Sequence, residues 1–148
     1  MARGDLTLFE EFANMLGSEN FLFETGGDTI KVALFDTSAS FAVDDASPVY
    51  SSTNEVTGVG SSYTAGGATL ASQTYNEASG VATFDGANIT WSQDASGFTG
   101  ATSALIYDDT NATKMAIGWV DLGSAVSQQD GDVTISWSGS GIFTVTVS

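Results

Sequence analysis

The stretch Asp132-Val133-Thr134-Ile135-Ser136-Trp137 alternates polar and apolar side chains at every position. A period of two places the apolar side chains on one face of an extended chain, so this stretch predicts a half-buried β-strand with Trp137 facing inward. Phe143, Val145 and Val147 repeat the alternation after a glycine-rich turn, Ser138-Gly139-Ser140-Gly141. The sequence therefore predicts that these two runs pair as an antiparallel hairpin.

Further runs of strand length, rich in β-branched and aromatic residues, precede this pair along the chain. They comprise residues 29–35, 68–70, 81–84, 89–92, 103–107 and 115–122. The connections at 76–80, 85–88 and 108–113 consist largely of Asn, Asp, Gly, Ser and Thr, which favour turns. The pattern predicts an all-β fold, an antiparallel β-sandwich of about eight strands with one short N-terminal α-helix.

The N-terminal helix is predicted over residues 6–16, where four apolar side chains recur at helical spacing: Leu8, Phe12, Met15 and Leu16. Asp5 can cap its N-terminus, and Gly17 is suited to end it. Such a short helix is not stable alone in water, so its apolar stripe must dock on something. It covers either the protein's own sheet or the surface of a partner.

The chain has 148 residues, which is the size of one domain with one core. We expect a single domain over 1–148, with a helix and linker at 1–27 and the strands at 28–148. A hydrophobic content of 42% with 14% charged residues is typical of a globular chain.

The charge balance is strongly acidic, with a formal net charge of −15 from 18 acids against Arg3, Lys31 and Lys114. Nucleic-acid binding needs a basic surface, so this composition argues against it. An anionic membrane surface is disfavoured for the same reason, and no apolar run reaches the roughly 20 residues that span a bilayer. We expect a soluble protein without an export signal, since the first residues lack an apolar core.

Catalytic equipment is sparse, because the chain contains no histidine and no cysteine. We assign no catalytic, cofactor-binding or metal-binding residue and expect no enzyme activity. Three acidic pairs, Asp44-Asp45, Asp108-Asp109 and Asp130 with Asp132, offer oxygen ligands for calcium, although Asp also stabilises turns through its own side chain. Turn formation is the favoured interpretation. The three tryptophans are likewise assigned to the core rather than to an exposed stacking platform.

A long segment without periodicity, residues 36–60, follows the first strand and contains the only proline. Long loops in compact domains are often functional, so this one is either a contact region or a solvated loop. The candidate partner-contact residues lie on the helix stripe and on this loop: Leu8, Phe12, Met15, Asp44, Asp45, Val49 and Tyr50. Self-association into a closed oligomer, such as a trimer, would use the same surfaces.

Several stretches, in this order along the chain, resemble a family of small structural proteins of tailed-bacteriophage virions. They are Asp28-Thr29-Ile30-Lys31-Val32-Ala33-Leu34, Tyr63-Thr64-Ala65-Gly66-Gly67, Ile89-Thr90-Trp91-Ser92, Ala104-Leu105-Ile106-Tyr107-Asp108, Ile117-Gly118-Trp119-Val120-Asp121-Leu122-Gly123, and Gly131-Asp132-Val133-Thr134-Ile135-Ser136-Trp137 followed by Gly141-Ile142. The resemblance covers nearly the whole chain and implies membership in a phage particle.

Within that context we expect a capsid decoration or cement protein that bridges and stabilises major-capsid subunits on the outer surface of the head. It would be made in the host cytoplasm and then join the virion. The alternative is a tail, baseplate or fibre component that touches host glycans.

Overall fold

A computed structural model describes residues 6–18, 21–58 and 61–148. Within these residues the chain forms ten strands and one helix, α1 (Glu11–Ser18). The strands are β1 (Leu6–Leu8), β2 (Ile30–Phe35), β3 (Ala68–Thr69), β4 (Thr74–Ala78), β5 (Val81–Asp85), β6 (Ile89–Trp91), β7 (Ala101–Asp108), β8 (Ala116–Val126), β9 (Val133–Ile135) and β10 (Phe143–Thr146). The predicted all-β fold with one short helix is confirmed.

The strands form three antiparallel sheets. The largest has five strands in the order β1-β8-β7-β2-β3, the second has the order β10-β5-β4, and the third pairs β6 with β9. The central pairing joins β2 to β7, with Ile30 opposite Asp108 and Phe35 opposite Ser103. The two smaller sheets together cover one face of the large sheet, which gives a sandwich-like arrangement.

The main core lies between the large sheet and the two smaller ones. Ile30, Val32 and Leu34 from β2 are fully buried in it. The opposite layer supplies Phe84 and Phe143 from the three-stranded sheet, and Ile89, Trp91, Val133 and Ile135 from the two-stranded sheet. The alternation in β9 arises here, because its apolar side chains reach this core while Thr134 is exposed.

The other face of the large sheet is also covered. β2 does not alternate apolar with polar side chains, so its sequence does not indicate one buried and one exposed face. Ala33 and Phe35 lie in a second apolar cluster with Tyr107 and Trp119. Phe41, from the segment that follows β2, stands edge-on against Phe35 with ring centroids 5.3 Å apart. The near-continuous apolar run at 29–35 is therefore the pattern of a strand buried on both faces.

The prediction of one helix over residues 6–16 is wrong at its start. Leu6–Leu8 pairs with β8, Leu6 opposite Val120 and Leu8 opposite Gly118, and α1 begins only at Glu11. The edge of β8 offers backbone hydrogen bonds that outweigh a weak local helix preference. The close approach of the two strands requires Gly118, because a Cβ at this position would meet the carbonyl oxygen of Thr7 at 2.5 Å. Asp5 lies outside the described residues, and Gly17 is inside the helix rather than after it.

The predicted hairpin between the last two runs is also wrong. The turn exists, because the backbone N–H of Gly141 donates to the carbonyl of Ser138 at 3.0 Å. However, β9 pairs with β6 and β10 pairs with β5, so the two strands enter different sheets. The glycine-rich stretch reverses the chain without setting the pairing partner. A further strand, β4, occupies part of the stretch predicted as a turn at 76–80 and forms a hairpin with β5.

The predicted turn before β3 is present and requires its glycines. Gly66 and Gly67 have φ values of +91° and +76°, a region that other residues rarely adopt. A Cβ on Gly67 would also lie 1.9 Å from the carbonyl oxygen of Val32. Among the residues that the structure describes, no helix has the length and apolarity to cross a bilayer.

Candidate partner-binding surface

The predicted contact residues of the N-terminal region are mostly inside the protein. Phe12 and Met15 are 3% and 2% exposed, and the ring of Phe12 stands edge-on to that of Phe143 at 5.2 Å. Leu8 is half-buried in β1. Phe12 and Met15 of the predicted stripe therefore pack inside the chain, whereas Leu16 is exposed. Phe12 and Met15 are not accessible to a partner, which corrects their assignment as contact residues.

Residues 36–58, which we call the outer loop, cross the face of the large sheet opposite the main core. The backbone N–H of Tyr50 donates to the carbonyl of Lys114 at 2.8 Å, and Val49 bridges to Met115. At the other end the backbone N–H of Val56 donates to the carbonyl of Leu34 at 2.9 Å. The outer loop is thus fixed to both β2 and the start of β8.

Glu55 holds the outer loop from within. Its side chain is buried, and its Oε1 accepts hydrogen bonds from the Tyr63 hydroxyl and the Gly66 backbone N–H, each at 2.7 Å. Its Oε2 accepts from the Tyr50 hydroxyl at 2.6 Å. The Tyr63 hydroxyl in turn accepts from the backbone N–H of Leu34 at 2.9 Å. One carboxylate therefore connects the outer loop, the turn before β3 and the edge of β2.

Tyr107 completes this group, which we call the Glu55 cluster: Tyr50, Glu55, Tyr63, Gly66 and Tyr107. The ring of Tyr107 stacks on that of Tyr50 with centroids 4.4 Å apart, and its hydroxyl donates to the carbonyl of Gly66 at 2.8 Å. Burial is the main cause that raises the pKa of each of the three tyrosines above its ordinary value near 10, and the Glu55 carboxylate adds to the effect. The hydroxyls therefore remain protonated donors.

The outward side of the outer loop carries exposed apolar and acidic side chains. Val43 and Val49 are 43% and 46% exposed. Asp44 and Asp45 are exposed between them, and the Asp45 carboxylate accepts from the backbone N–H of Ser47 at 2.9 Å. Tyr50 is half-buried and belongs to the Glu55 cluster rather than to the free surface. Four predicted contact residues thus lie on one loop, three of them outward.

The basic residues that the structure describes are both bound to one carboxylate. The ammonium of Lys31 lies 2.9 Å from one oxygen of Asp109, and Lys114 binds the other oxygen. The hydrogen bonds from the two lysines lower the pKa of Asp109, and the bond from Lys114 has the larger effect. Since one aspartate engages both lysines, no other carboxylate of the described residues forms an ion pair with a lysine.

In the other two acidic pairs, the carboxylates of Asp108 and Asp132 accept hydrogen bonds from backbone N–H groups. Asp108 is 1% exposed, and its Oδ1 accepts from the backbone N–H groups of Thr110 and Asn111 at 2.8 and 3.2 Å. Burial raises its pKa, the bond from Asn111 opposes this, and the nearby Asp28 carboxyl raises it further. Asp132 accepts from the backbone N–H of Gln93 at 2.7 Å. In the described ranges, no group of three or more acidic residues has the geometry to hold a metal ion.

The tryptophans do not share one surface. Trp91 and Trp119 are buried, in the main core and the second cluster respectively. Trp137 is only half-buried, and its indole N–H donates to the carbonyl of Ala87 at 3.0 Å. Its predicted inward orientation is therefore partly met, since it packs on the core from the edge.

The residue that sequence reasoning missed is Glu55. It stands in the polar stretch Ser51-Ser52-Thr53-Asn54-Glu55, which resembles any solvated loop. The apolar Val56 and the tyrosines at 50 and 63 were the available signal, because a buried carboxylate needs several donors nearby.

No protein-family model, no curated protein and no solved structure gives a significant match to the chain.

Proposed function

We propose that this protein is a structural component of a tailed-phage virion that binds the outside of the capsid as a decoration or cement subunit, with the outer loop as its contact surface. The virion context rests on the ordered sequence resemblance. The observation that carries the contact surface is the fixed outer loop, held by a buried carboxylate while Val43, Asp44, Asp45 and Val49 remain outward.

A preformed loop favours binding because little conformational freedom is lost when the partner arrives. A buried carboxylate is a weak source of net stability, so its role here is to select one loop conformation. A solvated loop would be enough to connect β2 to β3. The outer loop is instead held in one conformation with one side exposed.

The acidic charge indicates the chemistry of the partner. A net charge of −15 repels nucleic acid, and it favours a partner surface with basic or hydrogen-bond-donating loops. The major capsid protein would present such loops in many identical copies. Binding at many lattice sites makes the coat strong even when each contact is modest. Closure as a trimer at a symmetry axis of the lattice would suit this arrangement.

The experiment uses phage heads prepared without this protein, to which purified protein is added before the heads are pelleted. Val49→Glu places a charge on the outward side of the outer loop and should weaken binding to heads. Val147→Glu is the matched control, because Val147 is 82% exposed just beyond the end of β10. Equal binding by both variants would contradict the outer loop as contact surface. Binding to tails alone would favour the tail or fibre alternative.

A further inference from the structure

A cleft of about 740 Å³ separates the end of β8 from β9, on a different side of the molecule from the outer loop. One wall is formed by Val120, Leu122 and Val126, and the other by Val133, Ile135 and Trp137. A second cavity of about 430 Å³ shares Val120 and Trp137 with it and continues toward Leu6 and Ile142. Because the two cavities share lining residues, we treat them together as one groove, whose walls carry both apolar and polar side chains.

Both walls of this groove are strand edges without a neighbouring strand among the described residues. On β8, β1 pairs with the outer edge from Gly118 to Val120, and no strand of the described residues pairs with the outer edge from Asp121 to Val126. β9 pairs with β6 on one side, and on the other side no strand lies next to it within 6–18, 21–58 and 61–148. Unpaired edges of this kind present rows of backbone donors and acceptors to any extended chain.

The end of β8 is also displaced from its partner on the inner side. Ser103 pairs with Asp121, but Ala101 pairs with Val126, so several residues of β8 bulge out of the ladder. Gly123 within the bulge has a φ of +75°, and its N–H donates to the Asp121 carboxylate at 2.7 Å. Leu122, Ala125 and Val126, from the bulged part of β8, line the groove, and bulges are frequent next to binding sites.

The acidic residues around the groove indicate which kind of segment it binds. Asp130 and Asp132 line it, and Asp121 adjoins it on β8. Both lysines of the described chain are bound to Asp109 and do not line the groove. An acidic rim around apolar walls favours a segment that alternates apolar and polar side chains and carries basic residues at its ends.

We infer that this groove is a strand-acceptor site, which takes up an extended, basic-ended segment of a different protein by β-augmentation. Main-chain hydrogen bonds to the open edge of β8 would supply affinity, and alternate side chains would enter between Val120, Leu122 and Ile135. This inference goes beyond the proposed function, because it concerns a second surface and does not require that the outer loop binds a capsid.

The probe is a synthetic peptide of about eight residues that alternates valine with threonine and has lysine at each end. Titration into the full chain should change the fluorescence of Trp137, and hydrogen exchange should slow at 121–126. Two control peptides test the mechanism: one with a central proline, which cannot complete the backbone pairing, and one with glutamate in place of lysine. Both should bind at least roughly tenfold more weakly.

Matched variants assign the site. Asp130→Lys reverses an exposed rim charge and should weaken peptide binding roughly fivefold, whereas Asp44→Lys on the outer loop should not change it. Equal affinity for the proline peptide, or protection elsewhere in the chain, would overturn the proposal. Binding only after removal of residues 2–5 would assign the groove to the chain's own N-terminal segment and would overturn it too. Failure of the capsid-binding experiment leaves these readouts unaffected.

Discussion

Substitution of Glu55 by alanine tests the role of the buried carboxylate in holding the outer loop. Three donors lose their acceptor: the hydroxyls of Tyr50 and Tyr63 and the backbone N–H of Gly66. Tyr50 is half-buried and can reach water, so two donors stay buried without a partner. At about 1–3 kcal/mol for each such group, the free energy of unfolding should fall by about 2–6 kcal/mol.

Glu55→Gln gives a graded comparison, because its amide oxygen can still accept from Tyr63 and Gly66 while the charge is lost. We expect a loss of about 1–2 kcal/mol. Asp44→Ala is the matched control on the outward side of the same loop and should change stability by less than about 0.5 kcal/mol.

Urea unfolding followed by tryptophan fluorescence measures the three free energies. Limited digestion with a protease specific for aromatic residues reports the loop separately, since Phe41 and Tyr50 lie in it. Glu55→Ala should be cut there faster than the wild type under conditions where both are folded. A loss for Glu55→Ala no larger than that for Asp44→Ala, with no added cleavage, would refute the role given to Glu55.

Three further outcomes follow from the structure. Asp108→Asn should remove one contribution to the pH dependence of stability. The pKa of Asp108 is raised in the folded state, so the wild type loses stability as the pH rises from the unfolded pKa of about 3.9 through the folded pKa, and the variant should not show this loss. Urea unfolding at several pH values measures the difference. Trp137→Ala should lower the free energy of unfolding by about 2–3 kcal/mol, less than for a fully buried ring, whereas the exposed Thr134→Ala should lower it by less than about 1 kcal/mol. In an ultraviolet titration, the three tyrosines of the Glu55 cluster should ionise only above their ordinary pKa near 10, and they should do so as the protein unfolds. Ionisation of these three tyrosines near pH 10 in the folded protein would contradict their burial.

The sequence predicted the strands whose composition is itself β-like. The run at 29–35 and the alternation at 132–137 both correspond to observed strands, β2 and β9. β4 was missed because Thr74–Ala78 is polar and largely exposed, so its pairing with β5 rather than its own composition makes it a strand. β1 was missed for a related reason, since its strand form depends on the edge of β8.

Pairing partners and the site were harder to predict because they depend on distant residues. The turn at 138–141 was visible, yet β9 and β10 bind strands that lie some distance upstream. The outer loop was recognised as a candidate contact region, but its fixed conformation depends on Glu55, Tyr63 and Tyr107, which only the fold brings together. Periodicity reports which face of an element is buried, and it does not report such polar clusters.

The number of copies in purified particles tests the proposed function most directly. Mass-calibrated gel densitometry should compare this protein with the major capsid protein of the same particles. A decoration protein should be present at a copy number comparable with the capsid lattice. Heads that lack it should break at lower temperature than complete heads, and should also break in low salt that complete heads survive. A copy number far below that of the capsid protein, or intact and equally resistant heads with altered tails, would contradict the account.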